Sequence, residues 1–184
     1  MASRGIRPSK TKSTAALAAK SLLNAVLFFC IFMIALPAAA TWLWPAAMSL
    51  PDWLRRGGGA LLLAGGLAVW GICLNVFSRI GRGTPFPLDA PRHLVTTGPF
   101  SYCRNPIMAG ELAVIWAEEL YFATWGIAVY ALVITLAAHL AVVYIEEPEL
   151  RERFGPEYAA YCSRVPRWFP RLLQVSSQDD VSAA

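Results

Sequence analysis

Charged residues are scarce in this 184-residue chain, at 15% of the total, whereas 57% of its residues are hydrophobic. An ordinary soluble domain carries about 25% charged residues, so this composition excludes that class. Histidine occurs only twice and cysteine four times, as Cys30, Cys73, Cys103 and Cys162. The separations between the cysteines match neither a metal-binding motif nor a disulfide framework, and we therefore predict no metal site.

The chain contains several long apolar runs with few or no charged residues. Three stretches, 22–44, 60–77 and 125–145, each approach the ~20 residues that cross a bilayer as a helix. A fourth run, 107–117, is shorter and carries Glu111. The sequence therefore predicts an all-α, polytopic membrane protein with about four transmembrane helices.

The basic residues predict an orientation. Of the 16 lysines and arginines, only Arg55 and Arg56 lie in the loop after the first run, and the acidic loop 118–121 lies between the third and fourth runs. Because cytoplasmic loops are enriched in Lys and Arg, both termini are predicted to be cytoplasmic, in a bacterial inner membrane. We assign the net charge of +4 to this topology and predict no nucleic-acid partner.

The N-terminus allows a second interpretation. A basic leader, the run 22–36 and the small residues 37–40 resemble a secretory signal with its cleavage site. Trp42 and Trp44 instead suit the interfacial end of a helix that is retained. Removal of this helix would leave the remaining spans in the same orientation.

The chain is predicted to divide into four parts. Residues 1–18 form a basic, mobile N-terminus and residues 19–78 a two-helix membrane hairpin. Residues 79–172 form a catalytic region made of a Pro/Gly-rich crossover, a helical hairpin and an interfacial helix. Residues 173–184 form a disordered tail. Within the first hairpin, small residues at helical spacing predict a packing seam: Ala60, Ala64 and Ala68, with Gly65, Gly66 and Gly71 nearby.

The third helix is predicted to begin at Asn105-Pro106, with Asn as the cap and Pro at the first helical position. From Pro106 to Leu120 the rise is only about 22 Å, which is less than the ~30 Å hydrocarbon core. We therefore expect the Arg104 end to dip into the membrane around a cavity.

Polar side chains occur at both predicted cytoplasmic ends of the last helical hairpin, before the third run and after the fourth. Glu111 lies one turn into the third helix, and an ionisable residue there indicates function by default. Arg104 is its predicted partner, directly or through a ligand. Glu146 and Glu147 follow the fourth run, and His139 shares a helix face with Glu146 at i, i+7. A solvated helix end remains the alternative for the two glutamates, and a hydrogen-bonded structural histidine remains the alternative for His139.

These groups could together bind a zwitterionic molecule at the inner interface. Carboxylates would bind an ammonium or ribose hydroxyls, and an arginine would bind a carboxylate. The aromatic rings of Phe100, Tyr102 or Tyr144 would suit a sulfonium cation.

One ordered set of motifs extends over roughly residues 80–171. It comprises Leu94-Val95-Thr96-x-Gly98-Pro99-Phe100-x-Tyr102-x-Arg104-Asn105-Pro106-x-x-x-Gly110, then Glu146-Glu147, then Arg153-Phe154-Gly155-x-x-Tyr158-x-x-Tyr161 and Val165-Pro166-Arg167-Trp168. The set resembles the membrane methyltransferases of the isoprenylcysteine carboxyl methyltransferase and phospholipid N-methyltransferase superfamily. The chain departs from many members at Asn105, where they have His, and at Met108, where they have an aromatic residue.

The resemblance implies an S-adenosylmethionine-dependent methyltransferase whose active site faces the cytoplasm and whose acceptor, a lipophilic small molecule or a lipid, enters from the bilayer. Arg104 and Glu111 are the predicted catalytic residues. The residues that the resemblance assigns to the cofactor are Arg92, His93, Leu94, Val95, Phe100, Asn105, Glu146 and Glu147. No obligate protein partner is inferred.

Two other functions remain open. An enzyme of the same fold could methylate phospholipid headgroup amines, and Glu111 or His139 could then take the proton of the amine. A non-catalytic small membrane protein, such as a transporter subunit, would use the same polar residues for packing. Polar groups gathered at one membrane face argue against a transport path, which would place them near the midplane.

Overall fold

The protein is described by a computed structural model over residues 23, 26–80 and 93–169. Within these ranges it is helical, with no strand beyond a single bridge between Ala47 and Thr124. The predictions for 1–18, 173–184 and Arg92 lie outside the described residues. The helices are α1 (Val26–Leu43), α2 (Gly59–Ile80), α3 (Pro106–Phe122), α4 (Trp125–Ala141), α5 (Glu147–Phe154) and α6 (Pro156–Arg164).

Three helical stretches are long and apolar enough to cross a membrane: Val26–Leu43, Trp53–Val76 and Trp125–Phe154. They confirm a helical integral-membrane protein. Helix α3 has 17 residues and rises about 25 Å. The fourth span and the orientation of the termini therefore stay predictions.

Helix α3 begins at Pro106, as predicted, but Asn105 does not cap it. The Asn105 side chain makes no hydrogen bond to the first turn. Its Nδ2 instead donates to the backbone carbonyl of Arg167 at 3.1 Å. The Asn105 amide therefore serves a tertiary contact instead of capping the helix.

Helices α2 and α3 meet at a pair of glycines. A Cβ added to Gly66 would lie 2.9 Å from the carbonyl oxygen of Gly110, and one added to Gly110 would lie 2.9 Å from the carbonyl oxygen of Gly66. The two backbones therefore touch, which only glycine permits. Of the small residues predicted to form a packing seam, Gly66 makes this contact, whereas Ala60, Ala64 and Ala68 are all exposed.

Helix α1 widens before Pro37 and does not end there. Residues Ile31–Ala35 form a π-helical turn, and the helix then continues to Leu43. A proline cannot donate to a carbonyl of the preceding turn. The carbonyl of Phe32 accepts a hydrogen bond from the hydroxyl of Tyr130 at 2.6 Å instead, which ties α1 to α4.

The C-terminal helices turn at Gly155, which ends α5. Its φ is +51°, where a residue with a Cβ would be strained. Helix α6 then packs its apolar face on protein. Tyr158, Tyr161 and Val165 are buried together, in contact with Leu94, Leu150, Phe154 and Cys162. The helix predicted to lie at the membrane interface thus buries this face against the chain itself.

Candidate functional site

A π turn decides which glutamate faces the protein. Residues Val142–Glu146 form this turn, and the N–H of Glu147 donates to the carbonyl of Val142, five residues earlier. In an α-helix, positions five apart differ by about 140° around the axis; a π turn places them on one side. Val142 and Glu147 are accordingly buried, whereas Glu146 is exposed. Because the π turn inserts one residue, Glu147 rather than Glu146 faces the protein.

The proline that follows explains the position of the turn. Pro148 lies two residues beyond the π segment Val142–Glu146, as Pro37 lies two residues beyond the π segment of α1. In both places the missing proline N–H breaks the α-type hydrogen bonds. In the wider π turn, the neighbouring carbonyls accept hydrogen bonds from N–H groups five residues further along the chain.

Glu147 is the centre of an ionic cluster, with only 3% of its surface exposed. Its Oε1 accepts from Arg104 Nη1 at 3.0 Å and from Arg167 Nε at 2.6 Å. Its Oε2 accepts from Arg167 Nη2 at 3.0 Å, and Arg151 Nη2 lies 3.8 Å away. The hydrogen bond to Glu147 raises the pKa of Arg167. Both carboxylate oxygens are therefore used by the protein's own arginines.

Arg104 is held from several sides and still has an unused donor. Its side chain is 12% exposed, its Nη1 also contacts Cys162 Sγ at 2.9 Å, and its backbone N–H donates to the carbonyl of Pro166 at 2.9 Å. Among the described residues nothing accepts from its buried Nε. An unsatisfied charged donor in a protein interior is costly, so an acceptor contributed by a ligand would stabilise this nitrogen.

Three further hydrogen bonds fasten the segment before α3 to the C-terminal segment. Tyr161 donates its hydroxyl to the carbonyl of Phe100 at 2.6 Å. Cys103 Sγ and Asn105 Nδ2 both donate to the carbonyl of Arg167, at 3.3 and 3.1 Å. Burial raises the pKa of the Cys103 thiol and of the Tyr161 hydroxyl, so both keep the protons that they donate.

His139 belongs to the same end of the molecule. Its Nδ1 accepts a hydrogen bond from the indole N–H of Trp168 at 3.0 Å. Trp168 is the immediate neighbour of Arg167, which binds Glu147. The C-terminal segment therefore contacts α4 and α5 through adjacent side chains.

The structure gathers some predicted cofactor residues and separates others. Arg104 and Arg167 both bind the carboxylate of Glu147. Asn105 donates to the backbone carbonyl of Arg167. Phe100 and Val95 are buried with Cys73, and Leu94 packs against α6. His93 and Glu146 are exposed.

Glu111 lies apart from this cluster. Its Oε1 accepts from the indole Nε1 of Trp70 at 3.2 Å. In the described ranges Arg104 forms its ion pair with Glu147 and none with Glu111. The predicted direct pairing of Arg104 with Glu111 is therefore wrong, because the π turn supplies Arg104 with a nearer carboxylate.

Sequence reasoning assigned no role to Arg167, Trp168 or Trp70. Arg167 and Trp168 stand in the last of the ordered motifs, and an arginine beside a proline after an amphipathic helix was a usable signal. No sequence signal pointed to Trp70, because a single tryptophan in an apolar span is ordinary.

The fold and this cluster define a helical integral-membrane protein whose ionic site joins the ends of its last two long helices. Residues 54–157 match the phospholipid methyltransferase family. The chain belongs to that family, within the superfamily of isoprenylcysteine carboxyl and phospholipid membrane methyltransferases.

Two curated relatives are named for metal resistance. The chain is 43% identical over 109 residues to the cobalt-zinc-cadmium resistance protein CzcN of Cupriavidus metallidurans, covering 58% of this chain and 49% of that protein. It is 36% identical over 93 residues to the nickel-cobalt-cadmium resistance protein NccN of Alcaligenes xylosoxydans xylosoxydans, covering 46% and 39%. The matched part thus spans half or less of each relative.

Proposed function

We propose that the protein is an S-adenosylmethionine-dependent methyltransferase that acts on a small lipophilic or lipid-linked acceptor, in a bacterial inner membrane with its site facing the cytoplasm. The observation that carries the proposal is the unsatisfied Nε of Arg104, buried beside Glu147 inside the part of the chain that matches the family. No protein or nucleic-acid partner is invoked.

The residues present suit the cofactor. Its carboxylate needs a cationic donor, and the cluster has three arginines, Arg104, Arg151 and Arg167, around the single carboxylate of Glu147. The surplus positive charge and the unused Arg104 Nε fit that carboxylate. The ammonium and ribose hydroxyls need acceptors, and the exposed carboxylate of Glu146 is adjacent in the chain.

When bound, S-adenosylmethionine supplies a methyl group already activated by its sulfonium. The protein therefore has mainly to position the acceptor and exclude water. Glu147 orients Arg104 and Arg167 rather than binding the ligand itself, since both its oxygens are occupied. Buried Phe100, Tyr158 and Tyr161 keep water from the cluster.

Calorimetry on the detergent-solubilised full chain tests this proposal. S-adenosylmethionine and its demethylated product should both give heat, and Arg104→Gln should weaken their binding at least tenfold. Arg56→Gln, an exposed arginine outside the cluster, is the matched control and should bind as the wild type does. No heat at millimolar ligand, or equal binding by Arg104→Gln and wild type, would overturn the proposal.

Methylation of phospholipid headgroup amines is the second candidate, favoured by the match to the phospholipid methyltransferase family. Membranes containing the protein should be incubated with methyl-labelled donor and their lipids separated. Label in the phospholipid fraction would support this candidate. Label confined to smaller lipophilic molecules would support the first.

A further inference from the structure

A short irregular segment follows the last helix and contacts the ionic cluster. Helix α6 ends at Arg164, and Val165 is extended, with φ −111° and ψ 126°, as the residue before a proline favours. Val165 is buried with the aromatic residues of α6, whereas Phe169 is 86% exposed. We name residues 166–169 the strap. It is anchored at its start by Val165 and is exposed at Phe169.

The backbone of the strap is held mainly through its carbonyl groups. The carbonyl of Pro166 accepts from the N–H of Arg104 at 2.9 Å, and that of Arg167 accepts from Cys103 Sγ and Asn105 Nδ2. The three N–H groups that follow Pro166 donate no hydrogen bond to another described residue. Because segments with few backbone hydrogen bonds open at a low cost in free energy, the strap is a candidate for local opening.

One side-chain hydrogen bond holds the strap against α4. The indole N–H of Trp168 donates to Nδ1 of His139 at 3.0 Å, and the two ring centroids are 6.0 Å apart. Because an indole nitrogen only donates, the direction of this bond is fixed, and neutral His139 carries its proton on Nε2. Trp168 follows Arg167 in the chain, so this bond sets the position from which Arg167 binds Glu147.

The unsatisfied donor of the cluster is enclosed by the chain. Arg104 Nε is buried and has no acceptor among the described residues, so a ligand can reach it only if a neighbouring element moves. Arg104 contacts both α6, through Cys162, and the strap. Helix α6 is held by the buried Tyr158 and Tyr161, whereas none of the four strap residues is buried. The strap is therefore the element that can move with the smaller loss of packing.

We propose that the strap opens to admit the ligand of Arg104 and closes over it, and that Trp168, held by His139, is the positioning residue that places Arg167 on Glu147 in the closed form. Without ligand, the closed form leaves Arg104 Nε unsatisfied, and an acceptor on the ligand would satisfy it. The ligand therefore favours closure through its higher affinity for the closed form. Closure also excludes water from the bound molecule.

Only the identity of the ligand rests on the proposed function, because the contacts that hold the strap are independent of S-adenosylmethionine. The strap and the cofactor can therefore be tested separately.

Cysteine alkylation tests the strap in the detergent-solubilised full chain without any cofactor. Cys103 is 5% exposed and its Sγ donates to the strap carbonyl of Arg167, so opening of the strap should expose it. Cys73 is fully buried and packs with Val95 and Phe100 rather than with the strap, so it reports general loosening. Labelling with N-ethylmaleimide, followed by peptide mass spectrometry, gives the rate of each thiol separately.

Trp168→Phe keeps an aromatic ring and removes the N–H. It should raise the alkylation rate of Cys103 about tenfold or more, because the closed form loses its bond to α4, and leave that of Cys73 nearly unchanged. Trp116→Phe is the matched control, since its indole N–H donates to Thr135 Oγ1 at 3.1 Å, between α3 and α4. It should label as the wild type does. An unchanged Cys103 rate in Trp168→Phe, or an equal rise at Cys73, would overturn the strap.

Two substitutions of His139 separate the hydrogen bond from packing. Asparagine places an acceptor oxygen near the position of Nδ1, and leucine offers no acceptor. His139→Asn should therefore label at Cys103 much as the wild type does, and His139→Leu should reproduce Trp168→Phe. Combining His139→Leu with Trp168→Phe should add nothing, because both remove the same bond. Equal rates for the two His139 variants, or full additivity, would overturn the role of Trp168 as a positioning residue.

Added S-adenosylmethionine tests closure over the ligand. At a saturating concentration it should slow the alkylation of Cys103 in the wild type about threefold or more, and Trp168→Phe should bind it more weakly than Trp116→Phe does. Heat in calorimetry without protection of Cys103 would overturn closure over this ligand. No heat would overturn the proposed function instead, and the labelling rates without ligand would still decide the strap.

Discussion

Two buried glutamates stand near opposite ends of the last helical hairpin, and they are treated differently. Glu147 is surrounded by arginines that use both its oxygens. Glu119, near the end of α3, is 5% exposed, and its Oε1 has no partner among the described residues. Arg55 donates to the backbone carbonyl of Tyr121, two residues after Glu119, at 3.3 and 3.2 Å.

Glu147 belongs to an ionic network, whereas Glu119 is a buried acid whose Oε1 has no partner among the described residues. At Glu147 several elements distant in sequence supply charge to one point, so removal of the carboxylate would leave buried cations without a counter-ion. Around Glu119 the described part of the chain forms no such network. Four predictions examine this difference, from the largest effect to the smallest.

Glu147→Ala should lower the free energy of unfolding by about 3–5 kcal/mol, because it leaves Arg104 buried beside no carboxylate. Denaturant unfolding in mixed micelles measures this. Glu146→Ala is the matched control and should change stability by less than about 0.5 kcal/mol, as an exposed side chain. If the Glu146 variant were the more damaging one, the register set by the π turn would be incorrect.

Arg167→Gln should cost about 1.5–3 kcal/mol, since hydrogen bonds to a charged partner contribute that much. Arg164→Gln is the control, because Arg164 is exposed and its Nε contacts only the local carbonyl of Ala160. Combined with Glu147→Ala, the Arg167 change should add much less than it costs alone. Full additivity would mean that the two side chains do not interact.

Alkaline pH should weaken the Glu147 end. Burial raises the pKa of Cys103 above its ordinary 9.0, so the unfolded thiol ionises first. Stability from this group is complete below pH 9 and falls above it, by at most about 1.4 kcal/mol per pH unit. Unfolding measured from pH 7 to 10 should show a shallower fall for Cys103→Ala than for wild type. The exposed Cys30→Ala variant should follow wild type, and identical slopes for all three would contradict the assignment.

Glu119→Gln should have the smallest effect, within about 0.5 kcal/mol, because the amide keeps the shape and no ion pair is lost. The same micelle unfolding assay measures it. A loss comparable with that of Glu147→Ala would reveal a partner for Glu119 and erase the distinction between the two ends.

The sequence predicted those features that local chemistry decides. The start of α3 at Pro106 follows from a proline in its usual place, the first helical position. Three of the four apolar runs, each a property of one continuous segment, correspond to the helices long and apolar enough to span a membrane.

Features set by tertiary contact were missed. The regular spacing of Ala60, Ala64 and Ala68 shows that they share a face, but it cannot show that Gly66 supplies the contact instead. Which of Glu146 and Glu147 is buried depends on a π turn, and the sequence carries no pattern that predicts this turn. Arg167 reaches Glu147 from 20 positions away, beyond any local rule.

The reach of Arg167 bears on how short a working version of the protein can be made. The family match stops at residue 157, and a chain trimmed to that boundary would keep Glu147 and Arg104 while discarding the guanidinium that binds both carboxylate oxygens. A minimal version intended for engineering or for transplanting into another membrane protein should therefore extend through Trp168.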